Sequence, residues 1–304
     1  MLRQAHLKLI AGHSVRHGVR GGAGLVSILL TMVVGLILAN IAIWPLDAVN
    51  KTIDKTVERA GDRISDAERV AAHEEVNREV VRVTGKAIDW LIEPSQDQLD
   101  YLTKDKPAFV SAILVLLFLA TPLFSCLGGF NQTSGDIATR GLRFLLIRTE
   151  RPNIFIGRFI GTYLFAALVN LLLFAVLAAY LAAKVKVHPS GDMVLWMLQG
   201  YLRLMLFSLP YIAICAWVSC AIESSFGSLV IALMLTYLLP IFIGRGEAIE
   251  EKVGYLQFLT PWGFKYWLLQ PATSGYFWGG VLAMLGFTAV FLVLGLRYFE
   301  KRDL

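Results

Sequence analysis

The sequence predicts an all-α integral membrane protein. It should have six transmembrane helices, an extracytoplasmic helical hairpin between the first and second, and cytoplasmic N and C termini. Three observations predict it. Of the 304 residues, 56% are hydrophobic and 17% charged, against roughly 25% charged in a typical soluble domain. The apolar residues are gathered in runs long enough, at about 1.5 Å of rise per residue, to cross ~30 Å of hydrocarbon. Lys and Arg gather at alternate ends of those runs, as membrane topology requires. Only helices or closed barrels satisfy their backbone groups in lipid, and these runs are too long and uniform for barrel strands.

Residues 1–24 form a basic, cytoplasmic N-terminal segment carrying Arg3, Lys8, Arg16 and Arg20. The first span is 25–44, from Leu25 to Trp44. It is longer than a signal-peptide core and lacks an obvious small-residue cleavage site, so it reads as a retained anchor.

Residues 45–107 form an extracytoplasmic insert, the one region of soluble character, with 14 acidic and 10 basic residues. Leu46, Val49, Ile53, Val57, Ala60 and Ile64 recur at helical spacing, and Gly61 interrupts them. Ser65 with Glu68 fits a capping box for a second helix bearing Val76, Val80, Val83, Ala87 and Leu91, which Pro94 ends. Two readings stand for this hairpin: a solvated pair packed on itself, or a dock for an extracytoplasmic protein or a second copy of the chain.

The second span is 108–127, followed by a cytoplasmic segment, 128–158. The third to sixth spans are expected at 159–183, 198–221, 226–243 and 278–296. Pro122, Pro210 and Pro240 should kink their helices, and Gly227, Gly279, Gly280 and Gly286 allow close helix approach. Residues 246–270 hold an aromatic-rich stretch broken by Pro261 and Gly263. It reads as two short interfacial or re-entrant helices, or as a plain aromatic belt. With the N terminus inside, twelve basic residues flank cytoplasmic ends, including Arg140, Arg143, Arg148, Arg151, Arg158, Arg297, Lys301 and Arg302. Five (Lys184, Lys186, Arg245, Lys252 and Lys265) fall in the short outer loops.

The charge distribution also sets aside nucleic acid as a partner, because the excess of +5 lies beside apolar runs and not on one surface. Cys126, Cys215 and Cys220 sit in or at the ends of apolar runs, where they read as small packing residues and not as a disulfide or metal framework. His73-Glu74 has Asn77 where a zinc-protease motif needs its second histidine. There is no nucleophile elbow and no phosphate-binding loop, so catalytic, cofactor and metal sites are expected to be absent. Arg203 is the one basic residue inside a span and should snorkel to the interface. Polar span residues such as Asn40, Asn170 and Gln199 are few, which suits a lipid-like cargo or a force transmitter without cargo.

The cytoplasmic stretch Asn131–Pro152 carries Leu142, Leu145 and Leu146 on one side and Arg140, Arg143, Arg148 and Arg151 on the other. That pattern predicts an amphipathic helix at the membrane surface, either a lipid anchor or a docking element. Asp136, Gly141-Leu142, Leu145-Leu146, Arg151 and Gly157-Arg158 follow one another before the third span, and the chain ends Phe299, Lys301, Arg302, Asp303. In these residues the sequence resembles the type-2 ABC transporter permeases. It departs from them in Leu142, where the family has Thr, and in Arg158, where it has Lys.

The resemblance implies the membrane subunit of an ABC exporter in the bacterial inner membrane, paired with a second permease chain as a homodimer. It implies two copies of a separate ABC ATP-binding subunit, so that ATP acts through the partner and no cofactor binds this chain. It assigns Asp136, Arg140, Leu142, Arg143, Leu145, Leu146, Arg148 and Arg151 to ATPase coupling. The large insert fits members with an extracytoplasmic subdomain, including permeases resembling those of nitrous-oxide-reductase maturation. The competing reading is a membrane scaffold that recruits an extracytoplasmic partner through the 45–107 hairpin.

Overall fold

The computed structural model describes residues 4–20, 22–60, 78, 81–89, 91–92, 94–139, 141–147, 149–184, 190–240 and 254–302. Among them every regular element is helical. The N-terminal segment is itself a helix, α1 (Gln4–Arg20), followed by α2 (Gly22–Ala60). At 39 residues α2 carries the first span and continues through Pro45 as the first arm of the insert. The proposed capping box at Ser65 and Glu68, with Val76 and Val80, lies outside the described residues. Residues 81–89 are helical, and the chain leaves the helix at Pro94 as expected. A short helix, α3 (Gln96–Asp100), and a π-helical turn, Tyr101–Asp105, lead to α4 (Ala108–Gly129), the second span.

Beyond α4 come two short helices, α5 (Ser134–Ala138) and α6 (Leu142–Leu146). The third and fourth spans are α7 (Arg151–Lys184) and α8 (Ser190–Ala221), both longer than the apolar runs that predicted them. α9 (Ser225–Leu233) runs on through a π turn, Met234–Leu238, and carries the described part of the fifth expected span. Two 3-10 turns, Gly254–Leu259 and Pro261–Phe264, precede α10 (Lys265–Leu268), and α11 (Gly275–Lys301) is the last span. Five described helices are long and apolar enough to cross a membrane, with Ser225–Leu238 a shorter apolar helix.

The helix starts obey local chemistry. Ser224 Oγ accepts the backbone N–H of Gly227 at 3.3 Å to open α9. Ser274 Oγ accepts that of Tyr276 at 3.3 Å to open α11. Pro122 lies inside α4 and Pro210 inside α8, where each removes one helical hydrogen bond.

The described chain forms two compact units. Unit 1 comprises 1–32, 118–173 and 201–304, and unit 2 comprises 33–117 and 174–200. In unit 2, Trp196 is buried, donates its indole N–H to Ser111 Oγ at 3.2 Å and meets Tyr101 edge-on at 5.8 Å. Tyr180 donates to Asn40 Oδ1 at 2.6 Å, which satisfies one of the few amides on a span.

Two apolar clusters of unit 1 are formed by described residues. In the first, Leu142, Ile154, Phe155, Phe159, Ile212 and Phe299 pack together. The second joins Cys126, Ile214, Cys215, Val218 and Ala232. The three cysteines are free and buried, and serve as packing residues. α1 docks on α7 across Gly157 and Gly161. A Cβ on Gly161 would lie 2.8 Å from the carbonyl oxygen of Ala11 and 2.5 Å from Ser14 Cβ. Only glycine permits that approach.

Of the 246–270 stretch, read as two short helices or an aromatic belt, residues 246–253 lie outside the described residues, and the rest opens with two 3-10 turns and α10. The break at Thr260–Pro261 is the expected one, and Gly263 is required because a Cβ there would sit 2.4 Å from the Gln257 carbonyl oxygen. Phe264 and Trp267 meet edge-on at 5.1 Å, and Phe258 and Phe264 do so at 5.3 Å. Lys265 is only 5% exposed, with Nζ 4.0 Å from the centroid of the Tyr266 ring and 4.7 Å from that of Trp262. Burial pushes its ammonium down to about 7, while the ring faces partly replace lost hydration.

Arg203 does not snorkel. It is 7% exposed, donates to the Leu268 carbonyl at 3.2 Å and lies 5.1 Å from the centroid of the Phe277 ring. The end of α10 offers it a free carbonyl and an aromatic face within the protein, which replaces the water that snorkelling would reach.

Candidate functional site

The segment after α4 begins with Asn131, whose side chain organises everything around it. Its Oδ1 accepts from the Gly135 N–H at 2.8 Å, from Ser134 Oγ at 3.1 Å and from Ser225 Oγ at 2.9 Å. Asn131 thereby starts α5 and ties it to the beginning of α9. Thr139 Oγ1 donates back to the Gly135 carbonyl at 3.0 Å, which ends α5 after five residues. The single amphipathic helix expected over Asn131–Pro152 is therefore two five-residue helices, α5 and α6, separated by Thr139–Gly141. Side chains that bond to their own backbone compete with helix continuation, and Gly141 has a low helix propensity. α7 then opens on the Glu150 carbonyl, which accepts from the N–H groups of Asn153 and Ile154 at 3.1 and 3.3 Å. Pro152 stands in its first turn, where its missing N–H costs nothing.

The predicted coupling residues fall into distinct places. Asp136 is bonded to the Arg158 guanidinium, which also donates to the Gln132 carbonyl. Leu142 is 1% exposed and belongs to the first core cluster, so in this conformation no partner can reach it. Leu146 is half-buried against the same cluster, and Leu145 is 36% exposed. Arg140, Arg148 and the side chain of Arg143 lie outside the described residues. Arg151 faces inward along the chain: Nη1 donates to the carbonyls of Phe299, Glu300 and Arg302 at 3.3, 2.6 and 2.7 Å. It caps the C-terminal end of α11, where a cation also complements the helix dipole.

Sequence reasoning passed over Ile147. At 82% exposure it is the most exposed large apolar residue among the described side chains of the segment. A cleft of about 720 Å³ lies beside it, lined among others by His6, Leu146, Glu150, Asn153 and Glu300. His6 Nδ1 and Thr149 Oγ1 are 3.0 Å apart on its rim. The available signal was its place at the end of the apolar run Phe144–Ile147, next to Arg148.

Two further arginines complete the arrangement. Arg158 joins the start of α7 to α5, as described, and Arg302 donates to the Cys220 carbonyl and to Glu223 Oε1, the latter at 2.9 Å. Together the three form a series of links: Arg158 holds α5 to α7, Arg151 holds the start of α7 to the end of α11, and Arg302 holds the end of α11 to that of α8. Among the described residues no group of three His, Cys, Asp or Glu side chains could hold a metal ion. The chemistry on offer is apolar contact and charge, suited to gripping a partner.

The family model for the ABC-2 family transporter protein matches residues 9–304. The chain belongs to the ABC-2 transporter family. No individual curated protein matches it. As an ABC-2 permease it is a multi-pass membrane component of an ABC transporter and not itself the catalytic subunit; members of the family generally work with an ABC ATP-binding subunit. The resemblance drawn from Asp136, Gly141-Leu142, Leu145-Leu146, Arg151 and Gly157-Arg158 agrees with the family match.

Proposed function

We propose that this ABC-2 permease is the membrane half of an exporter, driven by two copies of a separate ATPase that dock on the α5–α6 segment from the cytoplasm. ATP binds the partner and not this chain. The permease works as a homodimer in the bacterial inner membrane, with six spans, both termini inside and the 45–107 insert outside. The exposed edge formed by Leu145 and Ile147 beside the 720 Å³ cleft carries this reading. An apolar residue left 82% exposed on a segment fastened to α7 is a handle: whatever holds it pulls on α7 and, through Arg151 and Arg302, on the ends of α11 and α8. Closure of the ATPase dimer on nucleotide then favours one packing of the spans over another, a population shift set by differential binding.

The test is co-purification. Ile147→Asp and Leu145→Asp place a charge where an apolar contact is needed. Both should abolish recovery of the ATPase while leaving the permease in the membrane. Undiminished recovery with both variants would refute the docking assignment. Topology is read separately: protease added outside should cut within 46–106 and spare 129–157, and the reverse pattern would invert the orientation.

A further inference from the structure

The N-terminal helix has a face that the coupling role does not use. α1 runs beside the first half of α7 in register, four residues against four. A Cβ on Gly157 would stand 2.9 Å from Ile10 Cγ2, one on Gly161 2.5 Å from Ser14 Cβ, and one on Gly18 2.9 Å from Phe165 Cδ2. Ile10, Ser14 and Gly18 therefore mark the covered side of α1, and Ala11 is buried there. Such lengthwise contact is what small residues allow between helices.

The opposite side is open. Lys8, Leu9, Gly12, Arg16, Val19 and Arg20 are exposed, Leu9 at 74% and Val19 at 45%. At 3.6 residues per turn these six positions share about a third of the helix circumference, centred away from α7. Nothing lies within 4 Å of a Cβ built on Gly12, near the middle of that face.

The charge on this face has one sign. No Asp or Glu precedes Asp47 in the chain, so Lys8, Arg16 and Arg20 meet no acid on α1 or on the first span. Among the described residues none of the three forms an ion pair. Two large apolar side chains stand beside these cations, a composition that fits the boundary between headgroups and acyl chains. Position agrees with composition: α1 ends at Arg20, and the first membrane-crossing stretch of α2 begins at Gly24. A surplus of positive charge at that boundary favours lipids of net negative charge over zwitterionic ones.

We propose that the outer face of α1 binds anionic phospholipids of the leaflet it borders, with Lys8, Arg16 and Arg20 on the phosphates and Leu9 and Val19 at the acyl boundary. Bound lipid holds α1 at the bilayer surface and, through Gly157 and Gly161, steadies the start of α7 with it.

The experiment uses the full chain in phosphatidylcholine nanodiscs without ATPase or nucleotide, so it succeeds or fails apart from the docking test. The three native cysteines are buried, and Gly12→Cys supplies one exposed thiol for a bimane label. Brominated acyl chains, carried by phosphatidylglycerol or separately by phosphatidylcholine, quench the label. One cation near an anionic surface is worth about fivefold in local lipid concentration, so half-quenching should need at least about fivefold less of the brominated phosphatidylglycerol. Salt at about 1 M, where the screening length is about 3 Å, should erase the difference. Lys8→Gln, Arg16→Gln and Arg20→Gln together should erase it at low salt, while brominated phosphatidylcholine quenches parent and variant alike. Arg16→Lys with Arg20→Lys keeps the charge and should keep the preference. Arg297→Gln, at an exposed cation on α11, should leave it unchanged. Equal quenching by the two lipids, a preference that survives the triple variant, or one that Arg297→Gln also erases would each overturn the proposal. So would loss of ATPase recovery in the triple variant without any lipid preference in the parent, which would give the face to an acidic protein surface.

Discussion

The same substitution, glycine to alanine, should have opposite effects on α1 at Gly161, in its contact with α7, and at Gly12, on its open face. At Gly161 the new methyl would lie 2.5 Å from Ser14 Cβ and 2.8 Å from the Ala11 carbonyl oxygen, about 1 Å inside ordinary contact. The Ala11 atom is backbone and cannot rotate away, so α1 must lift from α7. Overpacking of this kind costs about 1–3 kcal/mol. At Gly12, on α1 itself, nothing lies within 4 Å of the new Cβ, and alanine gains the helix propensity that glycine lacks, about 1 kcal/mol. Amide hydrogen exchange over residues 4–20 reads both. If α1 exchanges through undocking, Gly161→Ala should speed it roughly 5- to 150-fold, and Gly12→Ala should slow it roughly fivefold, at 1.4 kcal/mol per decade. Gly157→Ala should fall between them, because its clash is with the Ile10 side chain, at 2.9 Å, which can yield in part. If Gly161→Ala leaves α1 exchange unchanged, α1 does not pack on α7 through this glycine, and the reasoning from close approach is refuted.

Other consequences follow from the same geometry. Arg151→Met removes the donor to three carbonyls at the end of α11 and should lower stability by about 2–4 kcal/mol, discounted for partial exposure, in thermal unfolding of the permease alone. Arg151→Lys should recover much of that loss, since one nitrogen, Nη1, meets all three carbonyls and an ammonium carries three donors; an unchanged midpoint with Met would show that the cap carries no weight. Lys265 has a folded value of about 7, below the ordinary 10.5, so the native state releases its proton first as pH rises. Its contribution to stability should therefore increase between pH 7 and pH 10.5, by up to about 1.4 kcal/mol per pH unit, and be least favourable below 7. Chemical unfolding across that range should show the slope in the parent and a flatter one in Lys265→Met.

The sequence revealed the parts of this fold that depend on one kind of physics. Long apolar runs marked α4, α7, α8 and α11, because a span is defined by its own composition. Pro94 and Pro261 ended helices where expected, because proline acts locally. What was missed depends on partners. α1 is a helix because Gly157 and Gly161 on α7 receive it, and the four-residue glycine spacing was the available clue. Arg203 met Leu268 and Phe277, residues more than sixty positions away. The continuous amphipathic helix failed because Asn131, Ser134 and Thr139 turned their side chains to their own backbone, and a hydrophobic wheel gives no weight to that competition.

The arginines suggest why the coupling segment need not be one long helix. Two five-residue helices cannot transmit force as a rod. The structure instead joins elements in series: α5 to α7 through Asp136 and Arg158, and the start of α7 to the end of α11 through Arg151. The end of α11 reaches Glu223, in the turn between α8 and α9, through Arg302. Every one of these links is a guanidinium on a carbonyl or carboxylate, and Arg158 and Arg302 each hold a carbonyl with one nitrogen and a carboxylate with the other, geometry that lysine cannot reproduce. On the proposed function, displacement of Ile147 by a docked ATPase is then shared among three helix ends at once. Cutting one link should weaken that sharing without undocking the partner. Glu223→Gln, which keeps the shape and removes the charge, should leave ATPase co-purification intact and lower nucleotide-driven turnover, whereas Ile147→Asp should abolish both. Equal loss of binding in the two variants would mean that Glu223 belongs to the docking surface and that the linkage between helix ends is not what carries the motion.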